Sequence, residues 1–207
     1  MFWDKLKKNE PKQDGVWGPF LDKYPPSKDM TKPSEHIIGA CRNAGVPEEL
    51  LEFLQKYGFG NFGNGILKTI DPEDYFDSLF TWLGVEDYSK IPFMMTGFGD
   101  LFYYRKLEGG EYDISLLNIH YRSVSVPAWT VSDFVKFLLD PETEEKLLRG
   151  KLFQQAVKSK GALTGDEIFS FVPALVIGGA EDIRYVGKGN ARVHQHILFE
   201  LGNEKKG

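Results

Sequence analysis

Apolar residues recur three and four positions apart in the first part of the chain, and this spacing predicts amphipathic helices over about 35–44, 47–57 and 72–83. A glycine follows each predicted helix, which is typical of a helix C-terminus. The third helix, DPEDYFDSLFTWLG, has a predicted core stripe made of Tyr75, Phe76, Leu79, Phe80, Trp82 and Leu83.

The middle of the chain is rich in strand-forming residues. IPFMMTGFGDLFYYRKL and EYDISLLNIHYRSVSV are interrupted by GFGD and by the hairpin signal EGGE. We expect antiparallel strands near 101–107, 111–118 and 120–125. Asp100, in GFGD, is expected to accept backbone hydrogen bonds within its turn.

Helical spacing returns after Pro127, in TVSDFVKFLLD and PETEEKLLRGKLFQQAVKSKG. FSFVPALVI is predicted to be a strand with Pro173 at an edge or a bulge, and 190–201 is predicted to be a final helix. This order of helices, strands, helices, strand and helix predicts an α+β fold. We expect an antiparallel sheet in the middle of the chain, packed by flanking helices.

Residues 1–33 are rich in lysine, proline and aspartate. The prolines of KYPPSKDMTKPSE exclude a regular helix or a central strand. We predict a partly ordered N-terminal arm that packs its aromatic side chains onto the body. These are Phe2, Trp3, Trp17, Phe20 and Tyr24.

The stretch YGFGNFGNGIL places Gly58, Gly60 and Gly63 at the G-x-G-x-x-G spacing of a dinucleotide-binding loop. Such a loop needs a strand before it and a helix after it, so that the helix N-terminus faces the phosphate. Here a predicted helix comes before the glycines. We prefer a tight turn that lets Phe59 and Phe62 pack under the sheet. The alternative is a small-molecule or nucleotide-binding module that uses the Gly58–Gly65 turn.

The charge balance narrows the class of partner. The 207 residues include 25 Lys and Arg and 30 Asp and Glu, a formal net charge of −5. This balance argues against a general nucleic-acid binder and is compatible with a basic protein partner. The single cysteine excludes an internal disulfide, and no apolar run is long enough to span a bilayer. We expect a cytoplasmic protein without membrane contact.

Two features are candidates for catalysis or metal binding. His194 and His196 form H-x-H, which shares one face on a strand but points in nearly opposite directions on the predicted helix. A metal-dependent hydrolase built on this pair is the less favoured hypothesis. Cys41 lies in a helical pattern and is expected to pack as a small apolar residue. We predict no catalytic, cofactor-binding or metal-binding residue.

Acidic residues cluster at several predicted helix starts, where the helix dipole favours carboxylates. The functional alternative is an acidic surface that binds a basic partner. We select the start of the third helix as the candidate partner-binding cluster, which consists of Asp71, Glu73, Asp74 and Asp77.

Three stretches resemble a known family, and they occur in the expected order. They are YGFGNFGNGILKTIDPEDY, IPFMMTGFGDLFYY and LFQQAVKSKGALTGDEIFSFVPALVIGGAEDI. The chain is similar over about 35–200 to a GAD-like domain joined to the C-terminal domain of type VI secretion DNase-immunity proteins.

The resemblance implies three parts: the arm 1–33, a GAD-like domain over 34–126 and an immunity-protein C-terminal domain over 127–207, the last two sharing one core. It implies a non-enzymatic immunity protein without a cofactor, which binds and neutralises a cognate secreted toxin. The implied toxin is a basic nuclease, and no direct nucleic-acid contact is expected. The shared glycines and aromatic residues are interpreted as determinants of the fold.

Overall fold

The computed structural model describes residues 15–204, and within them the chain forms eight α-helices. The helices are α1 Gly18–Lys23, α2 Glu35–Ala44, α3 Glu48–Tyr57, α4 Pro72–Leu83, α5 Val131–Leu139, α6 Pro141–Lys146, α7 Gly150–Lys160 and α8 Ala191–Glu204.

Eight strands form two sheets within the same residues. They are β1 Gly60–Phe62, β2 Leu67–Thr69, β3 Lys90–Thr96, β4 Leu101–Lys106, β5 Tyr112–Asn118, β6 Ser123–Ala128, β7 Glu167–Phe171 and β8 Val186–Asn190. Strands β1 to β6 pair antiparallel in chain order, and β7 pairs antiparallel with β8. The predicted fold class, α+β with a central antiparallel sheet and flanking helices, is confirmed.

The two faces of the six-stranded sheet support separate hydrophobic clusters. Strand β4 shows the alternation, since Phe102 and Tyr104 belong to one cluster and Leu101 and Tyr103 to the other. The first cluster packs α1, α2, α3, α5 and α7 against the sheet. The second packs α4 and α8, with Leu79 of α4 and Leu198 of α8 among its buried members. Helix α4 therefore lies on the face that the C-terminal helix also covers.

The N-terminal segment contributes to the core from residue 15 onward. Trp17, Phe20 and Tyr24 are buried, and the Trp17 ring stacks on Phe53 with their centroids 3.9 Å apart. Isolated β-bridges join this segment to the glycine turn, at Pro26 with Phe62 and at Thr31 with Phe59. The predicted contributions of Phe2 and Trp3 lie outside the described residues.

The glycine-rich stretch is a tight connection between α3 and β2. Gly58 ends α3 as predicted, but its φ of +88° and ψ of −163° differ from the left-handed helical conformation usual for such a glycine, although the positive φ still favours glycine. Gly63 has φ +57°, and a Cβ there would lie 2.7 Å from Cδ1 of Tyr24. Phe59 and Phe62 are buried, as predicted. The glycines therefore provide clearance for aromatic packing.

Two predicted strands differ from the observed ones. The predicted strand at 120–125 begins later, at Ser123, because residues 119–122 form a turn with Arg122 at φ +54°. The predicted strand FSFVPALVI stops at Phe171, and the chain continues through a cis Val172–Pro173 bond into a short 3-10 turn. Proline has no N–H to donate to a strand partner, so it cannot extend β7.

The final helix is confirmed as α8, which places His194 and His196 on a helix. None of the helices within residues 15–204 combines the length and the apolar character that a membrane crossing requires.

Candidate functional site

Helix α4 has two sides with different surroundings, and both carry polar groups. The Asp71 side chain accepts a hydrogen bond from the Glu73 N–H at 3.0 Å, Pro72 occupies the first turn, and Gly84 ends the helix in the left-handed conformation. Tyr75 and Leu79 are fully buried on the side that faces the sheet. The spacing of i, i+3 and i+4 places Glu73, Phe76, Asp77 and Phe80 together on another side.

A groove of about 880 Å³ runs along that second side, between α4, the end of α2 and the loop before β3. Its centre is aromatic. The Phe76 and Phe80 rings stack at 5.4 Å, and Tyr88 meets them edge-on with centroids 5.2 and 5.0 Å away. The Tyr88 side chain is 61% exposed, so the centre of the groove is open to solvent. We call this surface the α4 groove.

Carboxylates form the rim of the α4 groove. Glu73, Asp77 and Glu86 line it, and among the described lining residues there is no lysine or arginine. The Tyr88 hydroxyl donates to Glu86 Oε1 at 2.8 Å, which orients the ring. Nearby, hydrogen bonds from Lys90 and Ser89 lower the pKa of Asp87 to about 2, so Asp87 stays ionised and paired with Lys90.

The four selected carboxylates divide between the two sides of α4. Glu73 and Asp77 line the α4 groove, whereas Asp71 and Asp74 line a second cavity behind the helix. Each also has a local contact. Asp71 caps α4, Glu73 lies 3.5 Å from His36, Asp74 lies 3.2 Å from Arg192, and Asp77 lies 3.0 Å from His196. All four carboxylates remain candidates for partner binding. Glu73 and Asp77 are the two that share the α4 groove.

The second cavity, of about 480 Å³, lies between the glycine turn, β2, the start of α4 and the loop 162–166. Lys68 on β2 is only 5% exposed and donates to the backbone carbonyls of Gly165 and Glu167. Burial lowers the pKa of Lys68. We call this cavity the seam cavity, because it joins the first part of the chain to the segment after α7.

A buried ionic cluster joins the same two parts of the chain elsewhere. Arg149, held at φ +52° before α7, donates to Asp100 Oδ2 at 3.1 Å and to Glu181 Oε1 at 2.7 Å. Asp100 also accepts from the Ile119 N–H at 3.0 Å, so its carboxylate does bind a backbone donor, but one that is 19 residues away. The prediction that it accepts within its own turn is wrong, because Thr96 Oγ1 accepts from the Phe98 and Asp100 N–H groups there. Beside it, burial lowers the pKa of His120, whose Nε2 lies 2.8 Å from the Phe98 carbonyl. The Arg149 and Asp100 side chains are almost completely buried, so we interpret this pair as structural, whereas Glu181 is partly exposed.

The features considered for catalysis or metal binding are dispersed. His194 packs against β8, where a Cβ on Gly189 would lie 2.0 Å from its Nε2, whereas His196 lies against Asp77 of α4. Within residues 15–204 no group of three or more His, Cys, Asp and Glu side chains is arranged to hold a metal ion. Burial raises the pKa of the Cys41 thiol to about 11, which keeps it protonated and unreactive.

The glycine turn lines the seam cavity, but the surroundings oppose a nucleotide. A helix C-terminus precedes the glycines, and the cavity wall carries Asp29, Asp71, Asp74 and Asp166. The start of α4 also lines the cavity, but Asp71 and Asp74 lie at that helix end, so a phosphate would meet their negative charge.

The sequence did not predict that Phe76, Phe80 and Tyr88 line one groove. Phe76 and Phe80 were predicted to face the core, because they extend the stripe of Tyr75 and Leu79. The structure leaves both half-buried. Phe76 does pack against the first hydrophobic cluster, as predicted, but both rings also line the α4 groove. Tyr88 lies in a loop between α4 and β3, where no periodicity marks it. The sequence did contain one signal, because the predicted apolar stripe of this helix is wider than a single helix face can bury.

Two protein families match this chain, one in each part of the sequence. Residues 16–118 match the GAD-like domain, and residues 128–202 match the C-terminal domain of the T6SS immunity protein Tdi1. The chain therefore carries matches to both domains, as its motifs suggested, and the second match points to an immunity protein of a type VI secretion system. The GAD-like match begins at residue 16, so it includes much of the segment that sequence analysis set apart as an arm.

A solved structure shares the fold. The crystal structure of Atu4351 from Agrobacterium tumefaciens aligns with a TM-score of 0.69 and 17% identity, over 89% of this chain and 88% of that one. No curated protein matches the sequence.

Proposed function

We propose that this protein is the immunity protein of a nuclease-type toxin and neutralises it by direct binding through the α4 groove. The observation that carries the proposal is the combination of an open aromatic centre with an acidic rim. Exposed aromatic residues bounded by charged residues are typical of protein interfaces. The match of residues 128–202 to the C-terminal domain of the T6SS immunity protein Tdi1 supports a toxin as the partner.

The charge of the groove supports a basic partner. Glu73, Asp77 and Glu86 attract a surface rich in lysine and arginine, and a nuclease uses such a surface to bind phosphates. An acidic protein that covers this surface competes with the nucleic acid. We propose that the toxin is neutralised in this way, with a basic segment over the rim and an apolar side chain against Phe76 and Phe80.

Co-expression with the candidate toxin encoded at the same locus tests the proposal. Immunity requires a stable complex on size-exclusion chromatography and loss of nuclease activity in the purified complex. We expect a buried area of about 1,200–2,000 Å² in that complex. If the two proteins elute separately and the toxin stays active, the proposed function is wrong.

A matched pair of tyrosines tests the site within the complex. Tyr88 and Tyr121 are both 61% exposed, and each donates its hydroxyl to a glutamate, Glu86 and Glu181 respectively. We expect Tyr88→Ala to weaken toxin binding about thirty-fold, as for an aromatic hot spot worth about 2 kcal/mol. Tyr121→Ala, outside the groove, is expected to leave affinity unchanged. Equal affinities for the two variants would place the interface elsewhere.

A further inference from the structure

The seam cavity contains polar atoms that the described residues leave without partners. Tyr75 is 1% exposed and its hydroxyl has no hydrogen-bond partner among those residues. The Asn61 side chain donates from Nδ2 to the Leu163 carbonyl at 3.3 Å, which fixes its orientation, and its Oδ1 is buried without a partner. Buried polar atoms are normally satisfied. These two therefore indicate a polar ligand.

The charge of the cavity selects the sign of that ligand. Four carboxylates line it, from Asp29, Asp71, Asp74 and Asp166. Two cations oppose them. Lys68 directs its ammonium group to the carbonyls of the loop that closes one wall, and Arg192 lies at 3.2 Å from Asp74 and 3.5 Å from Asp166. Carboxylates remain in excess, so the cavity attracts a cation and repels an anion.

The chemistry of the lining also selects the kind of cation. The described residues offer no cluster suited to a metal ion. The Asn61 Oδ1 and the Tyr75 oxygen accept hydrogen bonds, which an ammonium group donates. Apolar side chains from Phe59, Ile70 and Leu163 share the lining. Methylene groups pack well against such walls. A volume of about 480 Å³ is in the range of small-molecule sites.

We propose that the seam cavity binds a small aliphatic diamine or polyamine, held at its ammonium groups by the seam carboxylates, the Tyr75 hydroxyl and the Asn61 Oδ1. The amine contacts the glycine turn, α4 and the loop 162–166 together, so its binding stabilises the junction between the two parts of the chain. The proposal is independent of toxin binding.

Titration calorimetry on the full chain tests the proposal, with putrescine and spermidine as probes at constant ionic strength. The matched control is 1,4-butanediol, which has the four-carbon chain of putrescine but hydroxyls in place of its ammonium groups. We expect saturable binding of an amine at one site and none of the diol. If neither amine binds more tightly than about 10 mM, or if the diol binds equally well, the proposal is wrong.

Two conservative variants locate the site. Tyr75→Phe removes the unpartnered hydroxyl and keeps the ring, and it is expected to weaken amine binding about ten-fold, as for one hydrogen bond to a charged group. Asp166→Asn removes one lining carboxylate and is expected to weaken binding as well. Tyr103→Phe is the control, since Tyr103 is buried in the same cluster but does not line the cavity. Equal amine affinity in Tyr75→Phe, Tyr103→Phe and the original chain would overturn the proposal, with thermal melting as the check on folding.

Discussion

The two sides of helix α4 differ in how they use polar residues. On the seam side, Tyr75 and Asp74 lie next to residues distant in sequence, among them Arg192 and Asp166. On the groove side, Glu73 and Asp77 are exposed, and their contacts are with surface histidines. Exposed ion pairs contribute little to stability, whereas buried polar groups contribute strongly in either direction. Mutations of buried polar groups are therefore expected to change folding. The exposed charges on either side of α4, which include Asp74 and Arg192 at the seam, are expected to affect binding more than stability.

The largest effect is expected at the buried pair of Arg149 and Asp100, which lies away from the seam cavity but joins the same two parts of the chain. Arg149→Met leaves the carboxylate of Asp100 buried without its partner, and we expect a loss of about 3–5 kcal/mol in the free energy of unfolding. Urea denaturation followed by circular dichroism measures this loss. The control is Arg184→Met, since the Arg184 pair with Asp182 is largely exposed and its removal is expected to cost far less stability. Similar losses in both variants would contradict the difference between buried and exposed charges.

A smaller loss of stability is expected in the glycine turn, which forms one wall of the seam cavity. Gly63→Ala places a Cβ 2.7 Å from Tyr24 at φ +57°, and we expect a loss of about 1–3 kcal/mol. Gly39→Ala is the control with the opposite sign. Gly39 lies within α2 with no atom near its Cβ position, so alanine is expected to stabilise the protein by about 0.5–1 kcal/mol. Thermal unfolding of both variants measures the difference, and a stable Gly63→Ala would show that the turn is not strained.

The pH dependence of stability tests the burial of His120. Burial lowers the pKa of His120 in the folded state, so the unfolded chain binds the proton more readily. Below the unfolded pKa of about 6.5 the unfolded state gains protons first, and the free energy of unfolding falls as the pH falls from about 7 to 5. We expect His120→Gln to make this slope shallower. His194, whose pKa burial also lowers, is less buried, so His194→Gln is expected to change the slope less. An unchanged slope in His120→Gln would contradict the assignment.

The smallest effect on stability is expected at the groove. Glu73→Lys and Glu142→Lys form a matched pair, since both residues follow an Asp-Pro pair that begins a helix, α4 or α6. Each reversal places a lysine in a first helical turn, and each is expected to change the free energy of unfolding by no more than about 1 kcal/mol. Denaturation of the two variants checks this expectation. A large loss in Glu73→Lys alone would show that the groove is part of the folding core.

Local sequence patterns predicted most of the helices and strands, whereas the α4 groove and the seam cavity depend on packing between residues distant in sequence. The Asp71-Pro72 start and the Gly84 end of α4 follow from capping chemistry, so they were predictable within the sequence. Which side Phe76 and Phe80 face depends on α2 and on the loop that carries Tyr88, which no periodicity reveals. The seam cavity combines Asn61, Tyr75 and Asp166, which are far apart in sequence. The Arg149 contact with Asp100 was missed for the same reason.

The four carboxylates at the start of α4 do not share one surface. Four carboxylates within seven residues spread over a helix surface, because successive positions point about 100° apart. Asp71 and Asp74 therefore line the seam cavity, whereas Glu73 and Asp77 line the α4 groove. A run of like charges at a helix start is thus a weak guide to an interface until the neighbours of the helix are known.

Measuring toxin association with two double variants tests whether the toxin binds the α4 groove. Glu73→Lys with Asp77→Lys reverses the rim of the α4 groove, and Glu142→Lys with Glu145→Lys makes the same change in net charge on α6. Association rates and affinities are measured by surface plasmon resonance at two salt concentrations. We expect the groove variant to bind the toxin about ten-fold more weakly or worse, and its association rate to lose its dependence on salt. The α6 variant is expected to bind almost as the original chain does. Equal losses in both variants would show that only the net charge matters, and no loss in the groove variant would contradict the groove as the toxin-binding surface.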